Sequence, residues 1–506
     1  MNIWKVSQSP LYFNDKENND LFKRKCVCVH PDTPAKGKSS STQGDDFSNV
    51  KKGDFFYLCY GNKCIRLFGM FTGESQPSKL ESKEGWLEQK YELIFESNSN
   101  NKYQGDTAWW TPNDNSTFTK CKNNDEFQKL ILKPYFSKTL KDIEMTNNNN
   151  KYVNLLKSNH NLILTGAPGT GKTYLAKQIA QAMGCTDNEI GFVQFHPSYD
   201  YTDFVEGLRP LNDDGGNVGF ERKDGVFKAF CAKALSFNTK YEWLINHLQT
   251  RQAPIVLERP RSESFEVTVD NSTLRINGES VTKELFKSYY DGTKTDRWFN
   301  THFKKILDYI DKNYFVVFII DEINRGEINK IFGELFFSID PGYRGEKGRV
   351  QTQYQNMVED GDAFKKGFFV PENVYIIGTM NDIDRSVESM DFAFRRRFAF
   401  KEVTADDSKA MLDDFEWKDD AVKRMDSLNA AIEKTEGLSS AYHIGASYFL
   451  KLKNYNGDFG QLWDCHLKGL LFEYLRGTQS VDENMRKLEK AYNLNNTAAD
   501  DSDTDN

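Results

Sequence analysis

NLILTGAPGTGKTYLAKQIAQAM, residues 161 to 183, decides the fold class. An apolar run, Leu162-Ile163-Leu164, closes at Thr165, and the helix-compatible stretch Tyr174 to Met183 comes after Thr173. Between them stand Gly166, Ala167, Pro168, Gly169, Thr170, Gly171, Lys172 and Thr173. Strand, glycine-rich loop and helix in that order form the phosphate-binding loop pattern. The glycines let backbone N–H groups turn inward around phosphate oxygens at a helix N-terminus. Lys172 can bridge the β- and γ-phosphates, and Thr173 can hold Mg²⁺. The nucleotide-binding set is therefore residues 166 to 173 with Tyr174 beside them.

Two further strands extend the pattern. FVVFIIDEINR, residues 315 to 325, is an apolar run ending in Asp321 and Glu322. In an open α/β sheet, ligands bind at the C-terminal ends of the strands. Asp321 is expected to hold Mg²⁺, directly or through water, and Glu322 to polarise an attacking water. A carboxylate there suits hydrolysis better than transfer to a large acceptor. FVPENVYIIGTM, residues 369 to 380, carries another strand, and Asn381 falls just past it, where an amide can sense the γ-phosphate or the water. Strands alternating with helical stretches over 162–400 predict a parallel sheet covered on both faces. From about 405 to 485 the chain reads as helical: Val422, Met425, Leu428 and Ile432 recur at helical spacing, as do Leu467, Leu470, Leu471 and Tyr474.

Composition narrows the class. A hydrophobic share of 38% with 28% charged residues is a soluble globular balance. No run approaches the ~20 apolar residues of a membrane span, and the N-terminus lacks the pattern of a signal peptide. The eight cysteines are scattered, which fits reduced thiols and a cytoplasmic protein. The net charge of −8 excludes a chain that is basic throughout, so nucleic-acid binding requires a local basic patch. Expected boundaries are a β-rich domain over 1–140, a linker over 141–151 marked by Asn147 to Asn150, an α/β core over 152–400, a helical lid over 401–485 and a disordered acidic tail over 486–506. Residues 36–46 are expected as a flexible loop. An insertion over about 238–312 contains a β-hairpin turning at Asp270-Asn271 and is expected to be a surface elaboration.

The order phosphate loop, Asp-Glu strand, strand ending in Asn, then Arg after a helix resembles the AAA+ ATPases. The wording of VQFHPSYDYTDFVEGLRP (193–210), IIDEINRGEINKIFGELFFSID (319–340), GTMNDIDRSVESMDFAFRRRF (378–398) and YHIGASYF (442–449) resembles the McrB family, nucleotide-hydrolysing subunits of modification-dependent restriction systems. The resemblance covers about 150–480. It implies a hexameric ring with nucleotide between subunits, GTP rather than ATP in the best-known members, with GTP or ATP both open for this chain, and a separate McrC-type nuclease partner. It places the Asn-x-x-Asp signature on Asn381 and Asp384. It places a trans-acting arginine within Arg395-Arg396-Arg397, with Arg396 the first choice and Arg397 the second. Family members often have His where this chain has Ala446; that segment is expected to stand clear of the phosphate machinery.

The first 140 residues share none of this. VKKGDFFYLCY (50–60), a Gly61-Asn62 turn and a strand from Cys64 to Met70 look like the PUA-like and EVE modules, which flip a modified base into an aromatic pocket. Trp4, Tyr57, Trp109 and Trp110 are the candidate cage residues for modified double-stranded DNA. A β-barrel whose aromatics only fill its core accounts for the same residues. Two functions are expected from the whole: a ring NTPase of a modified-DNA restriction system, and, as the alternative, a MoxR-like remodelling ATPase with no DNA role.

Overall fold

The computed structural model describes residues 1–33, 41–99, 110–111, 116–212, 218–250, 254–258, 264–296, 302–383 and 392–494. The chain divides into two compact units, Met1–Asn149 and Asn150–Asn506.

The first unit is built on a seven-stranded sheet. Ile3–Ser7 pairs in parallel with Phe55–Cys59 and antiparallel with Phe118–Lys120. Ile65–Phe71, Leu87–Glu96 and Cys26–Val29 extend the sheet on the other side. The strand FFYLC is buried at every position. Phe55, Tyr57 and Cys59 join a core with Trp110, Phe127 and Phe136. Phe56 and Leu58 join another with Phe47, Phe71 and Phe118. Alternation along the strand thus fills two cores at once. Of the expected loop over 36–46, residues 36–40 lie outside the described residues, and its end is a helix: Gln43–Ser48 is helical, with Thr42 and Asp45 forming a reciprocal capping box.

Residues 141–151 are not an irregular linker. They lie inside the helix Leu140–Asn159. Asparagine disfavours a helix interior only weakly, and the helix has buried residues on either side of the Asn run, Ile143 before it and Val153 and Leu156 after it.

The second unit centres on five strands, all paired in parallel. Their order is Ala399–Glu402, Asn161–Thr165, Val374–Thr379, Val316–Asp321, Ile190–Gln194. Period-two alternation gives each strand two apolar faces. Leu162, Leu164, Val317, Ile319 and Ile377 pack with Ala176, Ile179 and Ala180 of the helix Lys172–Ala182. Ile163, Phe318, Ile320 and Ile376 face the larger cluster on the other side.

That larger cluster also takes in the insertion. Strands Ile255–Glu258, Ser264–Asp270, Thr273–Ile276 and Glu279–Val281 form an antiparallel sheet. Its hairpin turns through Asn271 and Ser272, both at positive φ, as a two-residue type I′ turn requires. Phe265, Val267, Leu274, Ile276 and Val281 are buried in one cluster with Tyr314, Phe318 and Ile320. The insertion is therefore part of the core rather than an appendage.

The lid has its own core, with Met425, Leu428, Ile432, Leu467, Leu471 and Tyr474 at its centre. The helix Val481–Tyr492 adds Leu488 and Tyr492. Residues 486–492, expected in the tail, therefore belong to the lid because their apolar side chains are buried there.

The motif DYTDFVEGLRP is explained by one buried charge. Asp200 caps the short helix Tyr201–Phe204. Glu206, fully buried, accepts from the fully buried Lys228 at 2.5 Å and from the Tyr354 N–H at 2.8 Å. Arg222 adds a bond at 3.2 Å. This network anchors a free-standing hairpin, Glu206–Asn212 with Val218–Asp224. Lys228→Met roughly keeps the volume but removes the shorter of the two ion pairs of a fully buried carboxylate, leaving Arg222 alone, and should cost about 3 kcal/mol. A lowered midpoint of thermal or urea unfolding would show the loss; an unchanged midpoint would mean that Glu206 is not desolvated.

Candidate nucleotide site

The loop Gly166–Gly171 leaves the strand Asn161–Thr165 and enters the helix at Lys172. Gly169 and Gly171 have φ of 79° and 80°, a region that side chains rarely adopt. Lys172 is buried, and its Nζ donates to the carbonyls of Gly166 and Ala167, both at 2.9 Å. Burial lowers its ammonium pKa to about 8, against the opposing pull of Glu322, Asp382 and Asp321. The Thr173 hydroxyl donates to Asp321 Oδ1 at 2.6 Å, and Thr379 donates to the same oxygen at 2.7 Å. Tyr174 is exposed beside them.

Glu322 stands at the C-terminal end of the Asp-Glu strand in the left-handed region, at φ 51°. A non-glycine residue there is strained, by roughly 1–3 kcal/mol. Its backbone N–H donates to Thr379 Oγ1 at 3.1 Å, and Asn381 Nδ2 donates to its Oε1 at 2.7 Å. Arg325 Nε lies 3.5 Å from its other oxygen. Asn324, nearly buried, donates to the Asn381 carbonyl at 3.4 Å. Gly166, Lys172, Thr173, Asp321, Glu322 and Asn381 thus converge at the ends of three adjacent strands.

Thr173 and Asp321 offer one hydroxyl and one carboxylate oxygen within hydrogen-bonding distance. Such hard oxygen donors fit Mg²⁺, which keeps several waters and takes few protein ligands beside phosphate. Among the described residues there is no group of three or more His, Cys, Asp or Glu side chains able to hold a metal by themselves.

Contrary to expectation, the YHIGASYF segment touches the phosphate loop. Gly445 N–H donates to the Pro168 carbonyl and Ser447 N–H to the Gly169 carbonyl, both at 3.0 Å. A Cβ on Gly445 would stand 2.2 Å from the Gly169 carbonyl carbon, so only glycine fits. Asn429 holds Ile444 through both its N–H and its carbonyl, at 2.8 and 3.1 Å. The contact runs through main chain, which no side-chain pattern announces.

The three arginines take different environments. Arg395 lies over the Phe400 ring at 4.9 Å. Arg397 is tucked in: it donates to the Ala393 carbonyl, approaches Asp340 at 3.8 Å and lies over Phe336. Arg396 is exposed and its side chain has no partner among the described residues. Asp384 lies outside the described residues.

In the first unit, Tyr57 and Trp110 are core residues, because both are fully buried and satisfied internally. The Tyr57 hydroxyl donates to the Thr111 carbonyl, and Trp110 Nε1 donates to the Gly61 carbonyl at 2.7 Å. Trp4 is half-buried, stacked on Phe118 at 4.8 Å and bonded to Asp54 at 3.1 Å, with Lys120 over its ring. Trp109 lies outside the described residues. Of the basic residues near the N-terminus, Arg24 is taken up by Asp20 and Glu88, both at 2.8 Å.

Parallel sheet, phosphate loop, Asp-Glu strand and helical lid define an AAA+ domain. Residues 161–248 and 279–398 match the family model of the AAA domain, dynein-related subfamily. The residues between the two matched stretches hold three of the four strands of the inserted sheet. The chain is 30% identical over 300 residues to the type IV methyl-directed restriction enzyme EcoKMcrB subunit of Escherichia coli K12, covering 57% of this chain and 47% of that one. It is 25% identical over 264 residues to the type II restriction enzyme BsuMI component YdiS of Bacillus subtilis 168, covering 51% of this chain and 60% of that one. The chain thus spans about half the length of these curated relatives. It carries an McrB-like AAA+ domain. Among the described residues no helix is long and apolar enough to cross a membrane.

Lys172 sets a pH dependence. Burial lowers its pKa to about 8, so the ammonium charge is present below that pH and lost above it. Affinity for a non-hydrolysable nucleotide should hold near pH 7 and fall by up to about tenfold per unit above pH 8. Titration calorimetry in two buffers of different ionisation enthalpy should show proton uptake on binding in that range. A flat profile with no uptake would place the ammonium outside the site.

Proposed function

We propose that this chain is the ring-forming NTPase subunit of a modified-DNA restriction system. The hydrolytic part of the reading is carried by one observation, that Asn381 holds the Glu322 carboxylate beside the Thr173–Asp321 pair at the mouth of a phosphate loop, and the restriction part is supported by the similarity to two restriction-enzyme components. In this reading the loop N–H groups and Lys172 bind the phosphates of GTP or ATP. Thr173 and Asp321 would hold Mg²⁺, which when bound would neutralise phosphate charge. Glu322 accepts the proton of the attacking water, and Asn381 keeps that carboxylate aimed. Glu322 holds this place with a left-handed backbone. Arg396, exposed and without a partner among the described residues, reaches a neighbour's γ-phosphate, a contribution worth about 10³–10⁵ in rate in other NTPases. Arg397 is assigned to the turn itself.

The β-rich first unit is the proposed reader of modified double-stranded DNA. With Tyr57 and Trp110 in the core, Trp4 and the Lys120 ammonium above it are the remaining described candidates for stacking and phosphate contact. A separate nuclease subunit of the McrC type would cut. Its recruitment to a ring on modified DNA would couple hydrolysis to translocation or cleavage.

Arg396→Ala should bind nucleotide normally and lose most turnover. Mixing it with Lys172→Ala subunits, whose arginines are intact, should restore part of that turnover in a malachite-green phosphate assay. No restoration would argue against action between subunits. In mobility shifts, the full chain should retain methylated or hydroxymethylated duplex more tightly than plain duplex, and Trp4→Ala should lose the difference. Equal, negligible binding to all three duplexes would favour a remodelling ATPase.

A further inference from the structure

Asn161 is fully buried at the first position of the strand that feeds the phosphate loop. Its amide makes contacts on both sides. Nδ2 donates to the Ile339 carbonyl at 2.7 Å and to the Arg397 carbonyl at 2.8 Å. Oδ1 accepts from Nη2 of Arg344. Both N–H groups are used on carbonyls, and its oxygen faces a cation, so only one orientation of the amide satisfies the network. Three stretches distant in sequence are joined through one side chain.

Arg344 is itself unusual. It is 2% exposed, and among the described residues it makes no ion pair. Its Nη1 donates to the Val374 carbonyl at 3.2 Å, on the strand next to Asn161. Burial lowers its pKa to about 10. An apolar residue of similar volume would cost less there. What the guanidinium supplies is a rigid planar fork. One arm bonds the sheet and the other fixes the Asn161 amide, which in turn holds the main chain of Arg397. The Arg397 side chain is seated on Phe336 and near Asp340, the residue that caps the short helix Pro341–Tyr343. The turn is thus clamped through both its carbonyl and its side chain, while adjacent Arg396 projects into solvent.

We propose that Asn161, backed by Arg344, is a positioning residue for the arginine that one subunit offers to the next, making the phosphate-loop strand and the arginine turn one rigid piece. The inference rests on the reading of Arg396 as trans-acting. It also gives a subunit a direct route between its own nucleotide and its neighbour's. A shift of the strand Asn161–Thr165 carries the arginine turn with it.

The test uses Asn161→Asp in the full chain. The substitution keeps the shape and still meets Arg344, but replaces the amide nitrogen, and with it both N–H donors, by one carboxylate oxygen facing the Ile339 and Arg397 carbonyls. Nucleotide affinity should be unchanged, and turnover should fall roughly tenfold to a hundredfold, the scale of a misplaced catalytic group. Mixing with Lys172→Ala subunits should restore turnover, because the defect lies in what the variant offers its neighbour. A purely structural role in the phosphate-loop strand would act in the variant's own site and would not be rescued. Arg396→Ala is run in parallel. If Arg396→Ala is rescued and Asn161→Asp is not, or if Asn161→Asp turns over normally, the clamp is wrong. If Arg396→Ala itself is not rescued, the trans reading fails first and takes the clamp with it. Arg344→Lys, which keeps the charge but loses the fork, is read in the same assay. A loss that mixing restores supports the clamp, and normal or unrescued turnover overturns it even should Asn161→Asp not fold.

Discussion

The Asp321 carboxylate is the interaction on which the site depends. One of its oxygens accepts both the Thr173 and the Thr379 hydroxyls. Thr173 belongs to the first turn of the phosphate-loop helix, Thr379 to the end of the neighbouring strand, and Asp321 to the end of the strand between Val374–Thr379 and Ile190–Gln194. Charge-assisted hydrogen bonds of this kind are about twice as strong as neutral ones. They lock the helix N-terminus to the sheet edge where nucleotide is proposed to bind. Thr379 also accepts the Glu322 N–H, so the same hydroxyl that secures Asp321 supports the strained backbone beside it.

Two supports flank that edge, and both act through main chain. On one side the lid's Gly445 and Ser447 bond to the loop carbonyls of Pro168 and Gly169. Those carbonyls point to the lid, which leaves neighbouring N–H groups for an anion. On the other side, at the opposite end of the loop's strand, Asn161 joins Arg344 and the arginine turn. A change in the phosphate loop therefore meets the lid at one end of the strand and the arginine turn at the other. In the proposed ring, this arrangement would let one subunit's nucleotide state be read by its neighbour.

Much of the catalytic unit was legible because its chemistry is concentrated in short, ordered motifs. GAPGTGKT between an apolar strand and a helix has few other structural meanings. Asp321-Glu322 and Asn381 are legible because polar residues at the ends of fully apolar strands have only the sheet edge to occupy. What escaped was of two kinds. Backbone contacts such as Gly445 to Pro168 carry no side-chain signature, and Ala446, where a His was missed, drew attention away from the glycine that matters. Buried polar clamps escaped too: Asn161 and Arg344 are separated by 183 positions, and neither residue looks unusual in its own neighbourhood. The Asn run at 147–150 misled because helix propensity is a weak prior that flanking apolar residues override. The dense aromatics near the N-terminus misled in part for a related reason: composition does not say which face of a sheet is covered, and here both are.

The central claim is that one chain holds all the parts of a hydrolysis site except an arginine supplied by the next. Specific hydrolysis rate against protein concentration tests it most directly, with ATP and GTP each at saturation and Mg²⁺ present. The account predicts a rate per subunit that is negligible at high dilution, rises steeply as subunits assemble and then reaches a plateau. A rate per subunit that is substantial and independent of concentration in a chain shown by sedimentation to be monomeric would contradict it.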